Sequence, residues 1–278
     1  MQLVLISDTH GQHRSLDLPP GDVLIHSGDL TLAGERSVAL DFVSWLAEQP
    51  HKHKIFIAGN HDRWVEQNTD ELFDISRQLG VHYLQESSVE IDGVHFWGSP
   101  YTPEFMNWSF MLPCTVSAMT YWQRMPDNVD VLITHGPPAG ILDTLHVVHN
   151  NVVKDAGADS HCKPAQRGVG CPALAKRVES VAPKYHVFGH IHEAYGRQQI
   201  GSTQFVNASC MNRDYLLANP AQVVSLDTHF TSPVLNNTYV FDKTQSTAVS
   251  AAKTYNSPST ASDFEDDLAR PALSDIAS

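Results

Sequence analysis

Five short apolar runs, each followed at once by polar residues, restrict the fold of this chain more than any other feature. With those polar residues they read LVLISDTH (3–10), DVLIHSGD (22–29), KIFIAGNHD (54–62), DVLITHGPP (130–138) and YHVFGHIH (185–192). A short apolar run that ends in turn residues is typical of a strand buried on both faces. The sequence therefore predicts buried strands that carry polar side chains at their carboxyl ends.

Helix-like stretches lie between these runs. Residues 35–48 and 70–79 show helical spacing of apolar side chains, and residues 172–181 begin with Pro172, a good first-turn residue. Strands that alternate with helices predict an α/β layered fold. Residues 89–98 and 196–209 have hairpin patterns, the first with Asp92-Gly93 at its turn. Hairpins add antiparallel strands, so the sheets are expected to be mixed.

The domain organisation follows from length and local composition. The chain has 278 residues, of which 42% are hydrophobic, enough for one sizeable core. We expect a folded domain over residues 1–242 and a disordered, low-complexity tail over 243–278, which is rich in Ser, Thr, Ala and Asp. Residues 144–170 lack periodicity and are interpreted as a long loop. This loop leaves the strand that ends at His135, which makes it a candidate substrate lid.

Charge and targeting signals exclude several classes of protein. Acidic residues outnumber basic ones by 31 to 18, for a net charge of -13, so no stable nucleic-acid partner is expected. The start of the chain lacks a basic segment, and no run reaches the roughly 18 apolar residues of a membrane span. Four cysteines without CxxC spacing indicate free thiols. A soluble, cytoplasmic protein without a membrane partner is expected.

The polar residues at the strand ends form a candidate metal site. In open α/β sheets, ligands bind outside the carboxyl ends of the strands. Oxygen and nitrogen donors without cysteine favour Mn, Fe or Zn over Mg. So many donors suit two ions that share a carboxylate better than one tetrahedral ion. The residues concerned are Asp8, His10, Asp29, Asn60, His61, His135, His190 and His192.

The spacing of His190 and His192 allows two interpretations. In an extended segment, residues i and i+2 point to the same side, so both imidazoles would face one spot that holds two adjacent ions or one crowded ion. Alternatively, the two histidines lie on a surface turn by coincidence. The spacing alone does not decide between them.

The motifs taken together resemble those of a known superfamily. The blocks DTH, GD, GNHD, THGPP and GHIH occur in the order of the calcineurin-like metallophosphoesterase signature. Longer stretches, such as WGSPYTPEF and LITHGPPAGILD, are similar to the narrower group of metallophosphoesterase-domain-containing phosphodiesterases first noted in brain. The resemblance implies a four-layer α/β/β/α sandwich with two mixed β-sheets.

The resemblance also implies a binuclear metal centre. Two divalent metal ions are expected, with manganese favoured and iron or zinc as alternatives. A hydroxide that bridges them would attack phosphorus. By the family pattern, the first ion is held by Asp8, His10 and His192, the second by Asn60, His135 and His190, and Asp29 bridges them.

His61 and Asp62 are the expected catalytic residues beside the metal centre. The resemblance makes His61 the general acid for the leaving oxygen, or else a group that orients the substrate. Asp62 is expected to hydrogen-bond His61 and keep it protonated. The alternative for Asp62 is a plain helix cap.

The segment GDLTLAGERS departs from the arginine-bearing segment of the superfamily's protein phosphatases. A diester carries one charge less than a monoester and needs fewer arginines. The expected function is therefore metal-dependent hydrolysis of small phosphodiesters or nucleotides, cyclic nucleotides above all. The alternatives are a nucleotide-binding or scaffold protein with weak catalysis, and a phosphomonoesterase or pyrophosphohydrolase.

Overall fold

A computed structural model describes residues 1–113, 115–147 and 165–227, all within one compact unit. The strands are β1 Gln2–Ile6, β2 Val23–Ser27, β3 His53–Ile57, β4 His82–Tyr83, β5 Ser87–Ile91, β6 Val94–Ser99, β7 Thr102–Pro103, β8 Met111–Leu112, β9 Val131–Thr134, β10 Thr144–Val147, β11 Ala165–Gly168, β12 Tyr185–Phe188, β13 Gly196–Ile200, β14 Thr203–Asn207 and β15 Gln222–Ser225. The helices are α1 Arg36–Glu48, α2 Arg63–Gln67, α3 Thr69–Gln78, α4 Thr115–Trp122 and α5 Pro172–Val181.

The strands form two large mixed sheets. The first has the order β15-β1-β2-β3-β4, in which β1 to β4 are parallel and β15 is antiparallel to β1. The second has the order β13-β14-β12-β9-β6-β5, with parallel central strands and an antiparallel hairpin partner at each edge. The expected mixture of parallel and hairpin strands is confirmed.

Successive side chains along a strand point to opposite faces of the sheet and pack against different layers. Leu3 and Leu5 of β1 pack against the second sheet, with Ile133 of β9 in the same cluster. Their neighbours Val4 and Ile6 point the other way and pack with α1, α2 and α3. On the far side, the second sheet packs against α4 and α5. The order helices, sheet, sheet, helices confirms the four-layer sandwich.

The predicted helices form within one residue of their expected bounds. Helix α1 buries Ala39, Phe42 and Leu46 along one face. Helix α5 begins at Pro172, where the missing N–H costs nothing, and the Cys171 sulfur accepts from the Leu174 N–H at 3.4 Å. None of the helices in the described part of the chain has both the length and the hydropathy needed to cross a bilayer.

The expected loop over residues 144–170 is wrong at both ends. Strands β10 and β11 pair as an antiparallel ribbon, with Thr144 opposite Gly168. Asp143 anchors the base of the ribbon, because its carboxylate accepts from the N–H groups of Gly140 and Gly170. Residues 148–164 and the expected tail over 243–278 lie outside the described residues.

Candidate metal centre

The carboxyl ends of β1, β2 and β3 meet those of β9 and β12 at one edge of the sandwich. Three groups of side chains converge there, each with potential ligand atoms within 4.8 Å of one another. The groups are Asp8, His10 and His192; Asp29, His135 and His190; and His10, Asp29 and His61. The motifs at the strand ends predicted that all of these residues would meet.

Unusual backbone turns bring the ligand atoms together. Four of the converging residues have positive φ: Asp8 at 52°, His10 at 43°, Asp29 at 58° and His190 at 69°. A non-glycine residue in this region costs on the order of 1–3 kcal/mol, and such strain gathers at functional sites. The four turns lie just after β1, β2 and β12, where the side chains meet.

Glycines make these turns possible at two positions. Gly28 has φ 106°, and a Cβ there would meet the imidazole of His135. A Cβ on Gly189 would overlap the carboxylate of Asp8. Both strand ends therefore approach a ligand side chain more closely than a larger residue allows.

Asp29 lies between the groups. Its Oδ1 accepts from the His61 backbone N–H at 2.9 Å and lies 3.3 Å from Nε2 of His135. Its Oδ2 lies 3.7 Å from Nε2 of His10. Burial alone would raise the pKa of Asp29, but the positive charge on His135 outweighs it and holds the pKa well below the usual range. The carboxylate is thus ionised and faces both sides of the centre.

Asp8 is the second buried carboxylate. Both of its oxygens accept from the backbone N–H of His190 at 3.1 Å, and Oδ1 lies 3.5 Å from Nε2 of His192. Burial acts to raise the pKa of Asp8, yet the hydrogen bond and charge of His192 lower it overall. Asp8 therefore ties β1 to the turn that carries both histidines of the last motif.

Backbone carbonyls fix the orientation of three imidazoles. A carbonyl oxygen can only accept, so each ring carries its proton on Nδ1 and turns Nε2 toward the centre. Such partners are typical of metal-binding histidines. The bonds join His10 to the Thr31 carbonyl, His135 to that of Ser27 and His192 to that of Asn212, at 3.1, 3.0 and 3.1 Å.

The converging atoms fit metal ions chemically. The Nε2 atoms of His10 and His192 lie 3.3 Å apart, and only a proton or a cation between them makes that contact favourable. His135 gives a second indication, because burial acts to lower its pKa but Asp29 raises it to about 9. The surroundings thus favour positive charge at the centre, and the nitrogen and oxygen donors suit Mn, Fe or Zn.

His190 and His192 reach different groups through a turn, not through a strand. Strand β12 ends at Phe188, His190 has positive φ, and a 3-10 turn runs from His192 to Ala194. The expectation of one extended segment with both rings on the same side is wrong. Two steps of turn geometry instead send His190 toward Asp29 and His192 toward Asp8.

The expected hydrogen bond between Asp62 and His61 is wrong. The Asp62 carboxylate accepts from the backbone N–H groups of Gly59, Leu30 and Thr31 and from the Thr31 hydroxyl, at 2.8 to 3.1 Å. Burial, followed by the charge of Asp29, raises the pKa of Asp62 to about 6. Asp62 thus joins the loop after β2 to the loop after β3. The partner of His61 is the Leu32 carbonyl, 2.6 Å from Nδ1.

Comparison with known proteins decides the family. The sequence model of the calcineurin-like phosphoesterases matches residues 1–194, which include every residue of the three groups. The chain belongs to the calcineurin-like phosphoesterase family. It is therefore a metal-dependent phosphoesterase of a family that uses two metal ions, and its His and Asp groups could hold metal.

The sequences of named relatives align with most of this phosphoesterase. Human metallophosphoesterase domain-containing protein 1 is 37% identical over 251 residues, which cover 82% of this chain and 71% of the human protein. UPF0046 protein K07C11.7 of Caenorhabditis elegans is 36% identical over 225 residues, covering 77% of this chain and 71% of its own length. A solved structure from Thermus thermophilus aligns with a TM-score of 0.49 at 12% identity, over 74% of this chain and 88% of that one.

Aromatic side chains surround the metal centre of this phosphoesterase, and sequence reasoning missed them. The ring of Trp108 lies 4.3 Å from that of His61, Tyr215 lies 4.9 Å from His192, and Phe105 lies 5.4 Å from His190. We call Phe105, Trp108 and Tyr215 the rim. They lie on loops without periodicity, and Phe105 alone falls within a stretch, WGSPYTPEF, that carries the family resemblance.

Proposed function

We propose that this phosphoesterase hydrolyses small phosphodiesters, cyclic nucleotides among them, with manganese as the favoured metal. The observation that carries the proposal is the ionised Asp29 between two groups of donors. The residues that would hold two metal ions are Asp8, His10 and His192 for the first, Asn60, His135 and His190 for the second, and Asp29 for both.

The chain prepares the electrostatics of this reaction. When bound, two divalent cations supply an acidified water as nucleophile and positive charge for the phosphoryl oxygens. The buried carboxylates of Asp8 and Asp29 hold that charge in place. The strained turns fix the donors before substrate arrives, so little reorganisation is needed during the reaction.

His61 would give its proton to the leaving oxygen. Its Nδ1–H donates to the Leu32 carbonyl, so Nε2 points toward the centre, 4.0 Å from Oδ2 of Asp29. Asp62 would act as a positioning residue, because it holds the loops that carry Thr31 and His61.

The charge around the centre supports a diester over a monoester. Within residues 1–113, 115–147 and 165–227, the ion pairs of Asp8 and Asp29 involve histidines alone. Arg63 is exposed, and its guanidinium donates to the Asn107 carbonyl at 2.9 Å. An arginine at the phosphate favours a monoester dianion, which carries one charge more than a diester monoanion.

The thiols support a proposed cytoplasmic location. Cys171 and Cys210 are buried and free, as the sequence analysis expected. Free thiols suit a reducing compartment, and we infer a cytoplasmic location. Cys114 and Cys162 lie outside the described residues.

The test is a rate assay on protein whose metal content is known. The purified protein is loaded with Mn²⁺, its metal content is measured, and turnover is followed on bis-p-nitrophenyl phosphate, p-nitrophenyl phosphate and a panel of cyclic nucleotides. We expect two ions per chain and diester turnover well above monoester turnover. Asp29→Asn should lose both metal and turnover, whereas Asp41→Asn, a carboxylate paired with His13 and Arg14 at the surface, should lose neither.

Three outcomes would contradict the proposal. A protein that binds no metal has no binuclear centre. A metal-replete protein that binds nucleotides without turnover is a nucleotide-binding or scaffold protein, which is the first alternative that the sequence left open. A protein that prefers the monoester or a pyrophosphate belongs to the remaining alternative class.

A further inference from the structure

Two loops beside the metal centre expose large apolar side chains. The first spans residues 104–109 and the second residues 212–216. Phe105 is 37% exposed, Met106 68%, Tyr215 40% and Leu216 61%. Single exposed apolar side chains are ordinary, but a group of them next to a site marks a binding surface.

The rim places an aromatic ring beside each group of ligands. Tyr215 lies 5.1 Å from His10 and 4.9 Å from His192, both in the group of Asp8. Phe105 lies 5.4 Å from His190, in the group of Asp29. Anything bound to the metals therefore lies close to Phe105 and Tyr215.

The loop that carries Tyr215 is built to hold its ring there. Tyr215 has φ 57°, a strained conformation for a tyrosine. The Asn212 side-chain oxygen accepts from the N–H groups of Asp214 and Leu216, at 2.9 and 3.0 Å. The Asn212 carbonyl also accepts from His192. One residue therefore fixes both a metal-facing imidazole and the position of Tyr215.

We propose that Phe105 and Tyr215 form an aromatic subsite that binds a planar ring of the substrate, namely the nucleobase or aryl group of a phosphodiester whose phosphate lies at the metal centre. The inference rests on the proposed function. It names the part of the substrate that the metals do not touch.

Stacking explains the choice of a planar ligand. Aromatic side chains bind bases through their faces and tolerate any base, because every base has a π face. The burial of an apolar ring also removes the two exposed side chains from water. An alkyl or polyol ester offers no face to stack, so the subsite should discriminate against it.

The test compares two substrates with one leaving group. Thymidine 5′-(p-nitrophenyl phosphate) and methyl p-nitrophenyl phosphate each consume one water, break the bond between phosphorus and the aryl oxygen, and release p-nitrophenolate and a proton. They differ in the group that stays on phosphorus. In the manganese-loaded full chain, we expect kcat/KM for the thymidine ester to exceed that for the methyl ester by roughly tenfold or more, the scale of one base stack.

Variants test which residues carry this preference. Phe105→Leu and Tyr215→Leu keep an apolar side chain without a ring, and each should reduce the ratio of the two kcat/KM values roughly fivefold or more. Phe105→Tyr and Tyr215→Phe keep a ring and should keep the ratio. Ile200→Ala, an exposed apolar side chain at the β13–β14 turn, is the control that should also keep it.

The inference and the proposed function fail in different ways. If the wild-type protein cleaves neither ester, the proposed function fails. If it cleaves both with equal kcat/KM, or if both leucine variants keep the wild-type ratio, the aromatic subsite is wrong and the diesterase remains. A variant that fails to fold leaves the wild-type comparison as the deciding measurement.

Discussion

The metal centre and its rim are adjacent, but they are built in opposite ways. The metal-facing residues follow strand ends, and except for the partly exposed His190 the proposed ligands are buried. Their imidazoles are oriented by backbone carbonyls. Phe105 and Tyr215, by contrast, are over a third exposed and lie on irregular loops.

This difference assigns chemistry and selectivity to different parts of the chain. A rigid, buried set of donors suits a reaction whose charge must be stabilised without reorganisation. Exposed loops tolerate change and adapt to different ligands. Substitutions in the centre should therefore act on metal and turnover for every substrate, and those in the rim should act on the choice among substrates.

The largest effect is expected at His135. His135→Ala removes an imidazole that faces Asp29 at 3.3 Å, and the buried Asp29 loses its main opposite charge. We expect a roughly 1,000-fold or greater loss of kcat/KM for every substrate, beyond the 10- to 100-fold typical of partners that only orient ligands. Metal analysis should show fewer ions per chain. An unchanged metal count with normal turnover would contradict the role of the centre.

His61 should separate proton transfer from metal binding. His61→Ala is expected to lower kcat about 100-fold, the lower end of general acid catalysis, while the metal content stays near that of wild type. A leaving group that needs no proton, such as p-nitrophenolate, should lose less than a nucleoside alkoxide. Loss of both metals would instead make His61 a ligand, as its place with His10 and Asp29 allows.

The convergence of these side chains could be predicted because its signals are local. Each ligand follows an apolar run in the sequence, and parallel strands bring such residues to one edge of a sheet. The direction of a side chain is set by tertiary structure, and here the expectations failed. Asp62 turns to backbone donors instead of His61, and His190 and His192 diverge through a turn.

The rim was missed for a related reason. The position of Tyr215 depends on positive φ and on hydrogen bonds to Asn212, neither of which leaves a periodic pattern. The ends of the expected loop over 144–170 pair only because β10 and β11 are brought together. The pairing of β10 with β11 and the turn at Tyr215 follow no apolar run or motif in the sequence, so the local pattern did not predict them.

The buried histidine His186 bonds to Thr134, the residue before His135, and makes stability depend on pH. The Thr134 hydroxyl donates to the Gly136 carbonyl at 2.8 Å, so His186 must donate to Thr134 through Nε2. Its Nδ1 is buried, and the described residues offer it no hydrogen-bond partner. Burial therefore lowers the pKa of His186 to about 3.

The sign of the pH effect follows from linkage. Below pH 6.5 the unfolded chain binds a proton at His186 that the folded chain rejects, so stability is present above pH 6.5 and falls as the pH drops. When the pH is lowered from 7.5 to 5.0, we expect the unfolding free energy of wild type to fall by about 2 kcal/mol more than that of His186→Phe. This difference corresponds to about 30-fold in the unfolding equilibrium constant. Urea unfolding of the chelated protein measures this. The control is His95→Gln, because the His95 side chain is 40% exposed, and its loss of unfolding free energy should match that of wild type. Equal losses in all three proteins would contradict the role assigned to His186.

The smallest effect is expected at His26, which touches no ligand atom but joins two ligand loops. The Gly28 N–H donates to its Nδ1 at 3.2 Å, so its Nε2–H donates to the Thr9 hydroxyl at 3.0 Å. Thr9 lies between two proposed ligands, and Gly28 directly precedes Asp29. His26 therefore fixes the distance between the ends of β1 and β2.

His26→Leu should raise the Kd for Mn²⁺ about tenfold, as loss of an orienting partner does, while kcat at saturating metal changes less. His26→Gln keeps a donor for Thr9 and should recover part of the affinity, which a mere packing defect would not predict. His51→Leu removes a buried histidine near the other end of the first sheet, where its partner is the Pro19 carbonyl, and should leave the Kd unchanged. An equal Kd in wild type and His26→Leu would mean that the strained turns at Asp8 and Asp29 hold their positions without this bridge.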